Sequence, residues 1–302
     1  MTDYRLSPRA LVLTSGSSKG TQKKYFDGTY WYKENRTGQE GLAENLASEV
    51  LKCSNLTNFV EYDLYKVNGR PGCRSKNFLK ENEMFLSFER LHVMQTGMYM
   101  NDAILGKNSI EERMLYVIDF IKSCTGFDPS EYLGNILMFD ALILNQDRHF
   151  NNLGVIINQN TEEVRECPIF DNGDSFLSNF TKFPPLDSIE ECLNKCVSLP
   201  FSANAYMQAK ILPHSLKLDY DALEKRLESF TKCRATEVLR RQIELYRGII
   251  PEISKERKLS LQEQIKQAKA DSRTAELNHN IAAKNDIDLV DELGSKKCLQ
   301  IF

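Results

Sequence analysis

Histidine and paired cysteines are scarce in this chain. Among 302 residues there are four His, and none of the eight Cys forms a CxxC pair. A structural zinc site needs clustered His and Cys at short spacings, so the sequence argues against one. Cys192 and Cys196 stand at i, i+4 without a second pair, and they read as one helix face. No run approaches the roughly 18 apolar residues of a membrane span. The first sixteen residues lack the long apolar region of a secretory signal. Cys298 lies one position too early for a prenylation signal. A basic excess is missing too: 39 Lys and Arg against 42 Asp and Glu leave a net charge of −3. No global field therefore draws the chain to nucleic acid or to an anionic membrane. These absences point to a soluble, reduced, cytoplasmic protein, with translocation as an effector left open.

What is present is an ordinary globular balance, 41% hydrophobic and 27% charged. At roughly 100–200 residues per domain, the length suggests about two domains or lobes. A short strand is expected over 9–14. A hairpin is expected around Asp27-Gly28, between Lys23-Lys24-Tyr25-Phe26 and Thr29-Tyr30-Trp31-Tyr32-Lys33. Leu42, Leu46 and Val50 at i, i+4, i+8 predict a helix over 39–52. Further strands are expected over 59–62 and 74–78, parted by the turn formers of 68–72. From there the pattern turns helical. The spacing predicts helices over 110–122, from Asp128-Pro129 to Leu144, and over 186–196, 220–230 and 233–248. The second of these is apolar nearly all round and should be buried. From Lys255 apolar residues are sparse, and a peripheral helix or partly disordered tail is expected. The reading is α+β: a β-rich lobe over 1–83, a mainly helical lobe over 84–254, and a tail over 255–302.

The chemistry concentrates in Asn145-Gln146-Asp147-Arg148-His149-Phe150-Asn151-Asn152. Phosphoryl transfer needs a carboxylate that orients or deprotonates the attacking hydroxyl, and oxygen ligands that hold Mg²⁺ against a triphosphate. An Asp followed five residues later by an Asn supplies both from one loop. Residues 153–157 and 164–170 then read as two strands around the turn residues Asn158-Gln159-Asn160-Thr161, ending at Asp171-Asn172-Gly173. A hairpin closing midway between 152 and 171 would set Asn152 opposite Asp171, two oxygen donors for one Mg²⁺.

The N-terminal residues fit the same reaction. Amides of the loop holding Gly16, Ser17, Ser18 and Gly20 can cover phosphates, although no Lys-Ser or Lys-Thr follows as in the GxxxxGK[ST] loop. Lys33 ends the next strand, a suitable place for a cation on the α- and β-phosphates. Such a Lys needs an acidic partner on the neighbouring helix. Glu40 is favoured, and Glu44, one turn on, stays open.

Asn145-x-Asp147-Arg148-His149-x-x-Asn152 followed by Asp171-Asn172-Gly173 resembles the signature of HipA-like bacterial serine/threonine kinases. Its Asp-Arg-His-x-x-Asn core is also similar to that of phosphatidylinositol kinases. Ser17-x-x-Gly20-x-Gln22 resembles the HipA phosphate loop. Trp31-Tyr32-Lys33, Glu40 to Glu44 and Gly72 to Phe78 resemble the compact CtkA-like branch. The resemblance implies a two-lobed kinase fold and transfer of the ATP γ-phosphate to a protein hydroxyl. It implies Asp147 as base, Asn152 and Asp171 as Mg²⁺ ligands, and Lys33 on the phosphates. It implies an adenine-binding hinge in the backbone from Phe78 and Leu79 to Glu83. His149 would orient the loop or touch the γ-phosphate, and Ser17 matches a self-phosphorylated position. The family's N-terminal domain of about a hundred residues has no counterpart here, so its usual antitoxin pairing is not expected. A lipid kinase and a non-catalytic scaffold are the alternatives. The substrate has no motif.

Overall fold

Asp27-Gly28 joins β2 (Lys24–Phe26) to β3 (Tyr30–Glu34) in the computed structural model, which describes residues 3, 4, 6 and 22–253. The strand expected over 9–14, the loop of Gly16, Ser17, Ser18 and Gly20, and the tail from 255 lie outside the described residues. The Asp27 carboxylate accepts from the Thr29 and Tyr30 amides at 2.8 and 2.7 Å, and Gly28 takes a φ of +101°. An Asx side chain thus builds the turn and glycine supplies the backbone conformation.

The second hairpin departs from expectation. Its strands are β4 (Tyr62–Val67) and β5 (Arg70–Lys76), and the turn contracts to Asn68-Gly69, with φ of +51° and +80°. Two left-handed residues are what a two-residue hairpin loop needs. Arg70, Pro71 and Gly72, expected in the turn, are in the strand. Pro71 can donate no ladder bond, and it is opposite the end of β3, where its carbonyl still accepts the Asn35 amide at 2.8 Å. With β1 (Asp3–Tyr4) parallel to β4, the sheet order is β1-β4-β5-β3-β2.

Helix α1 (Glu40–Lys52) turns Gly41, Glu44, Asn45 and Ser48 toward this sheet, while Ala43, Leu46, Ala47 and Val50, all fully buried, enter the main core. Two glycines make close approaches here, Gly41 from the helix to β5 and Gly72 from β5 to β3. A Cβ on Gly72 would lie 2.1 Å from the Lys33 carbonyl oxygen, and one on Gly41 would lie 2.6 Å from the Gly72 carbonyl carbon. Nothing larger fits at either point.

A second, antiparallel sheet contains β6 (Glu83–Ser87), β7 (Gly154–Asn158) and β8 (Val164–Glu166) in the order β6-β7-β8. Around it come α2 (Phe88–Thr96), α3 (Met100–Leu105), α4 (Ile110–Thr125), α5 (Ser130–Ile143), α6 (Ile189–Leu193), α7 (Ala205–Ala209), α8 (Tyr220–Glu228) and α9 (Arg234–Tyr246). As its composition requires, α5 is the centre of the core, with Leu133, Ile136, Leu137, Phe139, Ala141 and Leu142 fully buried. Helices α2, α3 and α7 were not expected. The first buries only Phe88, Leu91 and two polar residues, Glu89 and His92, which leaves little apolar periodicity to read. Helix α6 is shorter than its expected span and starts at a Ser188–Glu191 capping box.

All described residues but Ile253 belong to one compact unit ending at Glu252. Among the described residues no helix is long and apolar enough to cross a membrane.

Candidate active site

Arg148 organises the site from inside. Its side chain is fully buried, donating to Asp140 on α5 from Nε at 2.8 Å and Nη2 at 2.9 Å. The same guanidinium donates to the Phe170 carbonyl at 2.7 Å and to Asn172 Oδ1 at 2.6 Å. One cation therefore ties α5, the loop after it and the segment around Asp171 into a single piece. Burial opposes its charge, and Asp140 more than restores it, raising the guanidinium above its ordinary pKa. Asn145 adds a bond from Nδ2 to Asp140 at 2.9 Å and accepts the Asp147 amide at 3.0 Å. Asn145, Gln146 and Arg148 are buried, while Asp147 between them is exposed.

The loop closes on Asn152, whose Nδ2 donates to the Asp147 carbonyl at 3.1 Å. Its Oδ1 is buried and accepts no hydrogen bond from the protein. The His149 amide donates to the Asp147 carbonyl at 3.0 Å, and its Nδ1 is likewise buried without a partner.

Hairpin β7–β8 delivers the other acid. Pairing of Val155 with Glu166 centres it between 160 and 161, one residue before the midpoint of 152 and 171. Asn152 and Asp171 are thus not register partners, and β8 ends at Glu166, short of both. Arg148 brings the two segments together instead. Asp171 takes a left-handed φ of +59°, which Asp tolerates. The Asn172 amide then donates to Glu44 Oε2 at 2.8 Å.

Lys33 lies where these pieces meet. Its Nζ is 2.5 Å from Glu44 Oε1, 2.7 Å from Asp171 Oδ1 and 3.4 Å from the Tyr62 hydroxyl. The favoured partner, Glu40, is corrected to Glu44. Glu40 is at the helix start, where its carboxylate accepts from the amides of Arg36, Thr37 and Gly38 and from the Thr37 hydroxyl. It closes the β3–α1 loop and does not bind Lys33. Burial would lower the Lys33 ammonium, but Asp171 and then Glu44 hold its pKa well above the ordinary value. Burial would raise Asp171, and Lys24 and Lys33 instead hold it well below the carboxylate range. Burial dominates at Glu44, which is raised despite Lys33. Asp147 is raised as well, first by desolvation, with Asp174 and Asp171 adding and His149 opposing. Asp147 is exposed, yet Asp174 and Asp171 place like charge near its carboxylate.

Lys24 was missed by the sequence reading. It lies opposite Lys33 across β2–β3, with Nζ 3.5 Å from Asp171 Oδ2. Its signal was its place in the expected hairpin, where residues paired across two strands share a face.

A cleft of about 450 Å³ opens beside this cluster. Lys24, Lys33 and Tyr62 are at its polar end, and Trp31, Phe78, Leu79 and Phe85 line its apolar part. Phe78, Phe85 and Phe170 form a trio with centroids 5.5 to 6.1 Å apart. Phe78 and Leu79 belong to the link between β5 and β6. An apolar pocket beside two ammonium groups suits a base carrying phosphates.

A crystal structure of a proinflammatory kinase, CtkA, from Helicobacter pylori superposes with a TM-score of 0.55 at 16% identity, covering 76% of this chain and 90% of that one. The fold is kinase-like. A HipA chain of Shewanella oneidensis MR-1, from a complex with HipB and operator DNA, gives a TM-score of 0.38 at 10% identity, covering 84% of this chain and 62% of that chain. No family model matches the sequence, and no curated protein matches it. The likeness to CtkA shows the fold, and a fold does not by itself fix an activity.

For a metal, Asn152 and Asp171 offer oxygen donors of the kind Mg²⁺ takes. The orphaned Asn152 Oδ1 fits that role. Among the described residues no cluster of three or more His, Cys, Asp or Glu could hold an ion. Mg²⁺ does not require one, since phosphates and water commonly complete its shell.

Proposed function

We propose that the chain is an ATP-dependent protein kinase that transfers the γ-phosphate to a serine or threonine hydroxyl. The observation that carries this reading is the buried Lys33, clamped between Glu44 and Asp171 at the polar end of the cleft. Adenine would occupy the apolar slot beside Phe78 and Leu79. Lys33 and Lys24 would meet the phosphates, and electrostatic preorganisation of this kind is a large part of phosphoryl transfer. Asn152 and Asp171 would hold Mg²⁺. When bound, Mg²⁺ neutralises charge on the triphosphate.

Asp147 is the residue for the acceptor. It is exposed, fixed through its backbone by Asn145 and Asn152, and its raised pKa makes it a better base than an ordinary Asp. The acceptor oxygen forms a bond to the γ-phosphorus as the bond to the β,γ-bridging oxygen breaks. The hydroxyl proton passes to Asp147, and ADP leaves. Ser17 is a candidate self-acceptor on the sequence resemblance.

Calorimetric titration with ATP and Mg²⁺, followed by incubation with γ-labelled ATP and either casein or phosphoinositide vesicles, tests the reading. Binding that is lost in Lys33→Met, together with label on casein and none on lipid, is expected. Label on lipid alone would replace the protein acceptor with a lipid one, and absence of ATP binding would end the kinase reading.

A further inference from the structure

The loop beside Asp147 is built with unusual care for a surface segment. Gln208 on α7 is fully buried. Its Nε2 donates to Ser198 Oγ at 2.7 Å and to the Leu199 carbonyl at 2.8 Å, and its Oε1 accepts the amides of Phe201 and Ser202, both at 3.1 Å. The Ser198 amide donates to the Ala203 carbonyl at 2.8 Å, closing the loop on itself. Asn204 caps α7 by accepting the Met207 amide at 3.0 Å. A single buried amide with four bonds fixes a loop that water would otherwise keep mobile.

The same loop is fastened to the chain around Asp147. Gln146, its immediate neighbour, donates to Cys196 Sγ at 3.2 Å and accepts the Val197 amide at 3.5 Å. Phe201 packs edge-on against Phe150, with centroids 5.5 Å apart, and its carbonyl accepts from Arg113 at 3.0 Å. Val197 is therefore one side-chain length from the backbone of Gln146, on the order of 10 Å from Asp147. That distance is about three residues of extended polypeptide.

Rigidity here presents apolar groups to water. Val197 is 51% exposed, Leu199 40%, Tyr206 43% and Met207 42%. All four are on this loop and the helix it is clamped to. Exposed apolar residues held in one arrangement beside a functional group mark a contact surface. The other flank of Asp147 differs in kind: Asp174, whose backbone carbonyl accepts the Gln146 amide at 3.0 Å, is ion-paired with Lys182 at 2.7 Å.

From this geometry we infer that residues 196–207 are the acceptor-docking surface, and that it takes a polypeptide with an apolar side chain within about three residues of the phosphorylated hydroxyl. The inference rests on the kinase reading and adds the class of acceptor sequence to it. The occupant is an acceptor chain because Gln146, next in sequence to the carboxylate that would receive its proton, fastens this loop at Cys196 and Val197. Pocket discrimination between an apolar and a polar side chain gives a preference of roughly tenfold.

A positional-scanning library of serine-centred peptides, incubated with γ-labelled ATP and Mg²⁺, tests this. Wild type should favour Leu, Ile, Val, Phe or Met at one position near the serine by about tenfold over Ser or Asp. Val197→Arg should lose that preference and gain one for Asp and Glu at the same position, with its ATP affinity unchanged. Leu199→Arg serves as a second variant, and circular dichroism checks that each is folded. Labelling by wild type without an apolar preference, or an unaltered profile in both folded variants, overturns the docking inference and leaves the kinase reading standing. Wild type that binds ATP and labels no peptide overturns both the inference and the protein acceptor.

Discussion

Lys33 has two acidic partners within 2.7 Å, and neither is Glu40. Glu44→Gln removes a charge-assisted bond of the kind worth about 1.5–3 kcal/mol. It should lower kcat/KM for ATP by roughly tenfold to a hundredfold. Glu40→Ala should instead cost about 1–2 kcal/mol in denaturant unfolding, the scale of a lost helix cap, with ATP affinity retained. Asp147, Asn152 and Asp171 stand out in the sequence because an Asp and an Asn five apart precede a hairpin pattern that ends at a second Asp, and Arg148 ties the two segments together in the fold. The choice between Glu40 and Glu44 was not readable. Both are on one helix near its start, and only the loop geometry assigns Glu40 to the amides of 36–38. Asp147 offers a second test. Burial and like charge raise its pKa in the folded state, so its ionised form is disfavoured by folding. That penalty is absent below about pH 3.9, where both states are protonated, and complete once pH passes the folded-state value. Asp147→Asn should therefore melt above wild type at pH 7, and the gap should close as pH falls toward 4, while activity is lost. A variant melting below wild type at pH 7 would contradict that assignment of charge.

At the scale of elements, the site is held by two close approaches and one buried ion pair. Gly72→Ala would press a methyl against the Lys33 carbonyl 2.1 Å away. Overpacking of this kind costs about 1–3 kcal/mol, and the strand it displaces carries Lys33, so ATP affinity should fall together with stability. Removing Arg148 leaves Asp140 buried and uncompensated. Arg148→Met should destabilise by about 3–5 kcal/mol in urea, more than any exposed ion pair of the chain. The hairpin at Asp27-Gly28, helix α1 and helices α4, α5, α8 and α9 were legible because each had a turn signature or a clear apolar stripe. Helices α2 and α7 were not, because each buries polar residues, His92 and Gln208, whose bonds form only in the fold. The β4–β5 hairpin was displaced in the reading by Pro71 and Gly72. Both are turn formers in general, yet here one is past the end of β3 and the other is small because Lys33 comes close.

Across the whole molecule, the described residues place a nucleotide-sized cleft, a clamped lysine and an exposed aspartate around one point of a kinase-like fold. None of the three alone distinguishes an enzyme from a scaffold. On the proposed function, ATP binding depends on the Lys33 end and transfer depends on Asp147. The most direct test is transfer of label from γ-labelled ATP to a polypeptide, with ATP affinity measured on the same samples, in wild type and Asp147→Asn. The account predicts labelled acceptor in wild type, a loss on the order of 10²- to 10⁴-fold in the variant, and equal ATP affinity in both. Equal transfer by the two proteins, or ATP binding by neither, would contradict it.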